Sequence, residues 1–212
     1  EKPELPELEE FREMGVYTKK AEKPRIGCEA FRADPEANPL KTPSGKIEIY
    51  SEALDQYIQT HEFADDDFVA PVPVYATEWY GVETTTDEYP LVCSGFHYRG
   101  RLHSSWGFDE QLKAANPQEA WINPVDAEER GIAQGDTIRV KNQFGEIELL
   151  AKVTGRTTPG VVCISQGAWH DADMNGDRVD KGGSINTLTT LRPSPLAKGN
   201  PQHTNICQVT KA

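Results

Sequence analysis

One stretch limits the possible folds more than any other: Thr137 to Val153, TIRVKNQFGEIELLAKV. Ile138 and Val140 alternate with polar residues, Gln143-Phe144-Gly145 reads as a turn, and Ile147 and Leu149 resume the alternation. Period-two patterning on both sides of a glycine-bearing turn predicts a hairpin with one buried face, over strands 137–142 and 146–153. Its surroundings have the same texture. Leu91-Val92-Cys93 is a short apolar run, Val161 to Ile164 follows the turn Thr158-Pro159-Gly160, and Asn205 to Thr210 closes the chain. Asn123 stands before Pro124, the arrangement of a helix cap and first helical residue, with an end at Gly131. Gly135-Asp136 is a tight turn. Many short strands, one short helix between them and no repeated strand–helix–strand unit favour a small β-barrel over a layered α/β fold. No internal repeat of fixed period is visible.

The N-terminal part differs. Leu5, Leu8, Phe11 and Met14 share one face of an expected helix over 5–17 that Gly15 stops. Residues 21–40 contain prolines at 24, 35 and 39 and read as a connector. Ile47 and Ile49 alternate with polar neighbours as a strand would. A helix then starts at Ser51 with Leu54, Tyr57 and Ile58 turned inward. Asp65-Asp66-Asp67 with Pro71 and Pro73 resembles a linker, so the expected division is 1–70, the end of a preceding α+β region, and 71–212, the barrel.

With 212 residues and 37% hydrophobic side chains the chain can build a core. A net charge of −12, from 22 basic and 34 acidic side chains, argues against nucleic acid and anionic membrane surfaces as partners. No run approaches the roughly 18 apolar residues of a membrane helix. Cys28, Cys93, Cys163 and Cys207 stand far apart without zinc spacing, and three lie in apolar runs, as buried free thiols would.

Against that acidic background Gly95 to Ser105 is loaded with donors: His97, Tyr98, Arg99, Arg101, His103, Ser104 and Ser105. Gly95 is expected to break the strand before it. Composition alone leaves an anion site and a solvated loop equally open. Two other stretches share the chemistry, Gly182 to Asn186 and Ala197 to Thr204, each joining glycine to amide, hydroxyl or imidazole groups. One large phosphate-bearing ligand could use all three. Other constellations are weaker. Asp171, Asp173, Asn175 and Gly176 match the first half of a calcium loop, but position twelve is Gly182 rather than a glutamate. The Gln166–Gly183 excursion around them reads as too polar for a core. A zinc site assembled from His97, His103 or His170, serving a hydrolase or decarboxylase-like barrel, has no diagnostic spacing. No G-x-S-x-G, G-x-G-x-x-G or P-loop is present.

Three blocks, TPSGKIEIYSEAL, INPVDAEERGIAQGDTIRVKNQFGEI and GGSINTLTTLRPSPLAKGNPQHTN, resemble the carboxy-terminal part of the large subunit of dimethyl sulfoxide reductase-type molybdenum oxidoreductases. The GFHYRGRLHSS loop and the tail point more narrowly to anaerobic dimethyl sulfoxide reductase A chains. The resemblance implies a mainly β, double-psi β-barrel that holds one of two molybdopterin guanine dinucleotides. It carries over His97, His103, Ser104, Ser105, Asn186, Gln202 and His203 as cofactor contacts, with Gly95, Arg101 and Gln166 as neighbours, and Arg101 as a phosphate contact. It implies upstream domains that supply the molybdenum ligand and an iron–sulfur cluster. It further implies an iron–sulfur electron-transfer subunit and a membrane anchor subunit as partners, with export by a twin-arginine signal to the outer face of the cytoplasmic membrane. No catalytic or metal-ligating residue of this segment follows from it, so the segment alone is not expected to turn over substrate.

Overall fold

The computed structural model describes residues 5–20 and 23–212. They fall into two compact units, divided between Ser51 and Glu52. The first carries helices α1 (Leu8–Met14) and α2 (Glu29–Ala33). α1 is the expected amphipathic helix in shortened form, ended by Gly15 at φ 69°, a conformation only glycine adopts freely. The expected connector begins at Ala21 and Glu22, outside the described residues, and α2 interrupts the rest of it. Ile47 and Ile49 form no strand and are 73% and 72% exposed. Alternation alone does not make a strand, because a strand needs a neighbour for its backbone hydrogen bonds.

The second unit opens with α3 (Glu52–Thr60). Leu54 and Ile58 are half-buried, but Tyr57 is exposed and stacks on His61 at 3.6 Å between ring centroids. Its spacing from Leu54 puts it on the same side of the helix, but its ring packs on His61 at the helix end rather than inward. The 64–73 stretch is irregular backbone within this unit.

Six strands make the barrel: β1 (Leu91–Phe96), β2 (Glu119–Ile122), β3 (Thr137–Lys141), β4 (Glu146–Val153), β5 (Val161–Ser165) and β6 (Asn205–Lys211). They close in the order β1-β5-β2-β4-β3-β6. β1 runs parallel to β5 and β2 parallel to β4, while the remaining neighbours are antiparallel. This is the mainly β, double-psi type of barrel that the sequence led us to expect. In the β3–β4 hairpin Ile138 faces Leu149 and Val140 faces Ile147, and all four are buried. Ile122, Val162, Ile164 and Val209 complete an interior of small, mostly β-branched side chains, so the barrel is a packed core rather than a lumen. Each such side chain contributes about 1.5–3 kcal/mol by leaving water.

α5 (Pro124–Glu129) is capped as its sequence predicts, with the Asn123 side chain accepting from Val125 N at 3.0 Å. α4 (Glu110–Ala115) went unforeseen, although Asp109 caps it by accepting from Gln111 N and Leu112 N. Two further expectations need correction. Gly95 does not end β1: it pairs with Ile164, and the parallel ladder to β5 holds the strand through Phe96. The 166–183 excursion is not wholly outside the core, because Val179 and Asp180 are buried at 2% and 0% exposure. A buried carboxylate persists only when its lone pairs are satisfied, and four donors surround Asp180.

Candidate cofactor-binding site

Strand directions bring the three donor-rich loops together. β1 and β5 are parallel, so the chain leaves both at one end of the barrel, into residues 97–107 and 166–183. β6 runs antiparallel to β1 with Cys93 opposite Asn205, so residues just before Asn205 lie beside the outgoing end of β1. The meeting point is Gly95. A Cβ there would lie 3.3 Å from Gln202 Nε2, 3.3 Å from Ile185 Cδ1 and 3.4 Å from Gln166 Cγ. Hydrogen in place of a side chain lets one residue from each of three other segments close over the strand end.

The first loop is held firmly. Arg101 donates from Nε and Nη2 to Gln166 O at 3.1 and 3.0 Å, and from Nη2 to Gln118 Oε1 at 2.7 Å and Ser165 Oγ at 3.3 Å. Its guanidinium also lies 4.4 Å from the Tyr98 ring centroid, and Tyr98 donates its hydroxyl proton to Asn116 O. Burial pushes the Arg101 pKa down and the Tyr98 pKa up, each by disfavouring the charged form. Trp169 Nε1 donates to Ser104 O at 2.7 Å. Gly167, at φ 83°, passes so close to His103 O that a Cβ would stand 1.9 Å from it, which makes glycine obligatory there. These ties fix the backbone and leave the side chains of His97, His103, Ser104 and Ser105 exposed. The two imidazoles meet edge to face at 5.5 Å, beside a cavity of about 220 Å³ lined by His97, Tyr98, Arg101, Leu102, His103 and Gln166.

The second loop is organised by Asp180. Its Oδ1 accepts from Asp171 N at 2.8 Å and Gly182 N at 2.9 Å, and its Oδ2 from Ser184 N at 2.8 Å and Thr187 Oγ1 at 3.0 Å. Asn186 follows in the 3-10 turn Ile185–Leu188 with its side chain exposed. In the third loop Ser194 and Gly199 bond each other, and Asn205 Nδ2 donates to Gln202 O at 2.7 Å. Gln202 is half-buried and His203 exposed.

The sequence candidates therefore divide by place. Gly95, Gln166 and Gln202 touch at the strand end, and His97 and His103 adjoin them across Gln166. Ser104, Ser105, Asn186 and His203 stand on the same loops farther out. Arg101 lies beneath the first loop as its brace. Three residues escaped the sequence reading: Gln118, Trp169 and Asp180. Only contact reveals them, since nothing local distinguishes a glutamine entering a strand or an aspartate in a polar run. Asp173, in the half-match to a calcium loop, accepts from its own neighbour Asn175 N at 2.9 Å. Among the described residues no three His, Cys, Asp or Glu side chains gather to hold a metal ion.

Comparison with known proteins follows the same boundaries. Residues 91–206 match the family described as the molydopterin dinucleotide binding domain. The chain is 54% identical over 213 residues to the putative dimethyl sulfoxide reductase chain YnfE of Escherichia coli K12, covering 99% of this chain and 26% of that one. It is 52% identical over 212 residues to the dimethyl sulfoxide reductase DmsA of Haemophilus influenzae, with the same coverage. To trimethylamine-N-oxide reductase 1 of Escherichia coli O157:H7 it is 37% identical over 190 residues, covering 86% of this chain and 22% of that one. It thus spans about a quarter of the length of these relatives. Acetylene hydratase from Pelobacter acetylenicus shares the fold, with a TM-score of 0.64 at 21% identity over 84% of this chain and 25% of that one. Because the family match starts at the first residue of β1, ends within β6 and contains all three converging loops, this chain belongs to the molydopterin dinucleotide binding domain family.

Proposed function

We propose that this chain holds a molybdopterin guanine dinucleotide as part of a larger molybdenum oxidoreductase that reduces S-oxides or N-oxides such as dimethyl sulfoxide. The convergence of three donor-rich loops on Gly95, inside the matched family segment, carries the reading. The donor set suits such a ligand. Imidazoles at 97, 103 and 203, hydroxyls at 104 and 105, and amides at 186 and 202 can each donate to phosphate oxygens, and the imidazoles and amides also accept from pterin or guanine N–H groups. His97, His103, Ser104, Ser105, Asn186, Gln202 and His203 would hold the dinucleotide, with Gly95, Gln166 and Arg101 shaping the floor beneath them. When bound, the cofactor supplies the two-electron and oxygen-atom chemistry. The chain's share is to bind and orient, through loops whose backbones are fixed in advance so that little ordering is required on binding.

In the whole polypeptide, residues 1–70 would complete a preceding domain and 71–212 form the cofactor domain. Upstream domains would supply the molybdenum ligand and an iron–sulfur cluster, with an iron–sulfur subunit and a membrane anchor subunit as partners. We place the assembly at the outer face of the cytoplasmic membrane, exported by a twin-arginine signal elsewhere in the polypeptide. No helix among the described residues is long and apolar enough to cross a membrane. The metal-dependent hydrolase reading has no comparable support.

The test is His103→Ala and Gln202→Ala in the full-length polypeptide, with GMP released by acid counted per protein. Both variants should retain less nucleotide than wild type. Wild-type nucleotide content in both would remove these loops from the cofactor site.

A further inference from the structure

We propose that Gln118 is a positioning residue that fixes the first and second cofactor loops relative to each other, so that the donors around His103 and Asn186 face one dinucleotide. This rests on the cofactor role proposed above. Gln118 stands immediately before β2, which pairs antiparallel with β5, so it lies beside the end of β5 from which the second loop leaves, and all four capacities of its amide are used. Nε2 donates to Ser165 O and Gly183 O, both at 2.9 Å. Oε1 accepts from Arg101 Nη2 at 2.7 Å and from Ser165 Oγ. One planar group thereby joins the first loop through Arg101, the end of β5 through Ser165, and the second loop through Gly183.

The amide orientation is forced. Exchanging Oε1 and Nε2 would point an N–H pair at the Arg101 guanidinium and an acceptor at two carbonyls. The packing is equally tight, since a Cβ on Gly183 would stand 3.0 Å from Gln118 Cγ. No other side chain reproduces this junction. Glutamate offers acceptors only and would set an anionic oxygen against Ser165 O and Gly183 O. Asparagine is one methylene too short. Arg101 is itself half-buried, so losing its acceptor leaves a charge poorly solvated. Among the described residues Gln118 makes no hydrogen bond to the third loop, whose Gln202 lies against Gly95.

That asymmetry defines the experiment, a pair of double-mutant cycles in the full-length holoprotein. The readout is the rate at which molybdopterin guanine dinucleotide is lost in dilute urea, followed as acid-released GMP remaining with the protein. Gln118→Glu should accelerate loss about tenfold, the effect of mismatching one or two partly buried hydrogen bonds. Combined with Asn186→Ala it should add little, because both changes disable the same loop. Combined with His203→Ala in the third loop, the two accelerations should multiply. A residue that merely supports the fold would multiply with both partners alike. Gln118→Met, which removes the hydrogen bonds without adding charge, repeats the cycles if the glutamate variant does not fold. A wild-type rate of loss in Gln118→Glu or Gln118→Met, or accelerations that multiply with Asn186→Ala, would overturn the proposal. If instead His103→Ala, Asn186→Ala and His203→Ala all leave the rate unchanged, the cofactor-site reading itself fails, whatever Gln118 does.

Discussion

Removing the Asp180 carboxylate should release the second loop while leaving the barrel intact. The carboxylate is fully buried and is matched by donors alone: three backbone amides and one hydroxyl. In Asp180→Asn one oxygen keeps its pair of donors, but the new NH2 group faces the Ser184 amide. Thr187 can rotate its hydroxyl to accept, whereas Ser184 N, buried at 6% residue exposure, cannot adapt. One unsatisfied buried amide costs about 1–3 kcal/mol, so the central expectation is roughly a thirtyfold loss of protection from exchange. Asp180→Ala also frees Gly182 N and Asp171 N. Asp171 is exposed and regains water, so only part of that loss counts, and the sum is about 3–5 kcal/mol. Backbone bonds from Asp180 N to Glu146 O and from Glu148 N to Asp180 O survive both substitutions and keep the segment on β4. Hydrogen exchange by mass spectrometry on peptides covering 180–188 reads the effect, with the β3–β4 hairpin as an internal reference. Unchanged exchange over 182–187 in Asp180→Ala, or equal acceleration in the hairpin, would refute the reasoning.

Two further outcomes follow from the charge and thiol environments. Arg192 lies 3.8 Å from the Trp79 ring centroid, bonds Asp66 through both Nη atoms and reaches Asp67, and its hydrogen bond holds the Asp66 carboxyl below its usual range. A depressed carboxylate stabilises the fold above its unfolded pKa of about 3.9 and ceases to do so as pH falls through the lower folded value. The urea midpoint of Arg192→Met should therefore trail wild type by a constant margin from neutral pH down to about 4, and the gap should close only below that; a gap that closes on raising the pH would contradict the assignment. Cys93 and Cys207 are fully buried, and the hydrogen bond between them together with burial pushes the Cys207 thiol well up. Peptide mapping after native alkylation should find exposed Cys28 modified and Cys93 and Cys207 protected until unfolding. Equal labelling of all three would show that the β1–β6 seam opens.

How much of this was legible beforehand depended on the range of the interactions involved. Asn123-Pro124 announced its helix because capping involves atoms two residues apart. Ile138, Val140, Ile147 and Leu149 announced their hairpin because each strand's partner was its sequence neighbour. Ile47 and Ile49 carried the same alternation and formed no strand, since none lay alongside. Gly95 was misread as a strand end for the converse reason: β5, some seventy residues later, supplies the ladder that carries β1 through it. Among the candidate site residues, the exposed donors His97, His103, Ser104, Ser105, Asn186 and His203 were visible from loop composition and family resemblance. Gln118 and Asp180 were invisible, because their meaning lies wholly in the partners they reach.

By itself, then, the sequence determined a small β-barrel with buried β-branched positions, a capped helix, an acidic surface and three loops rich in donors. Tertiary structure decided that those loops converge. Parallel pairing of β1 with β5 and antiparallel return of β6 send all three to the same barrel end, where a residue without a side chain lets them close. It also decided what Arg101 does. Sequence offers only a cation, while the fold surrounds it with Gln118, Ser165 and Gln166 and makes it a brace. The physical reason is common to both. Local patterns fix which groups are present and which way each segment curls, but hydrogen-bond partners across the barrel are set by strand order, which no single segment encodes.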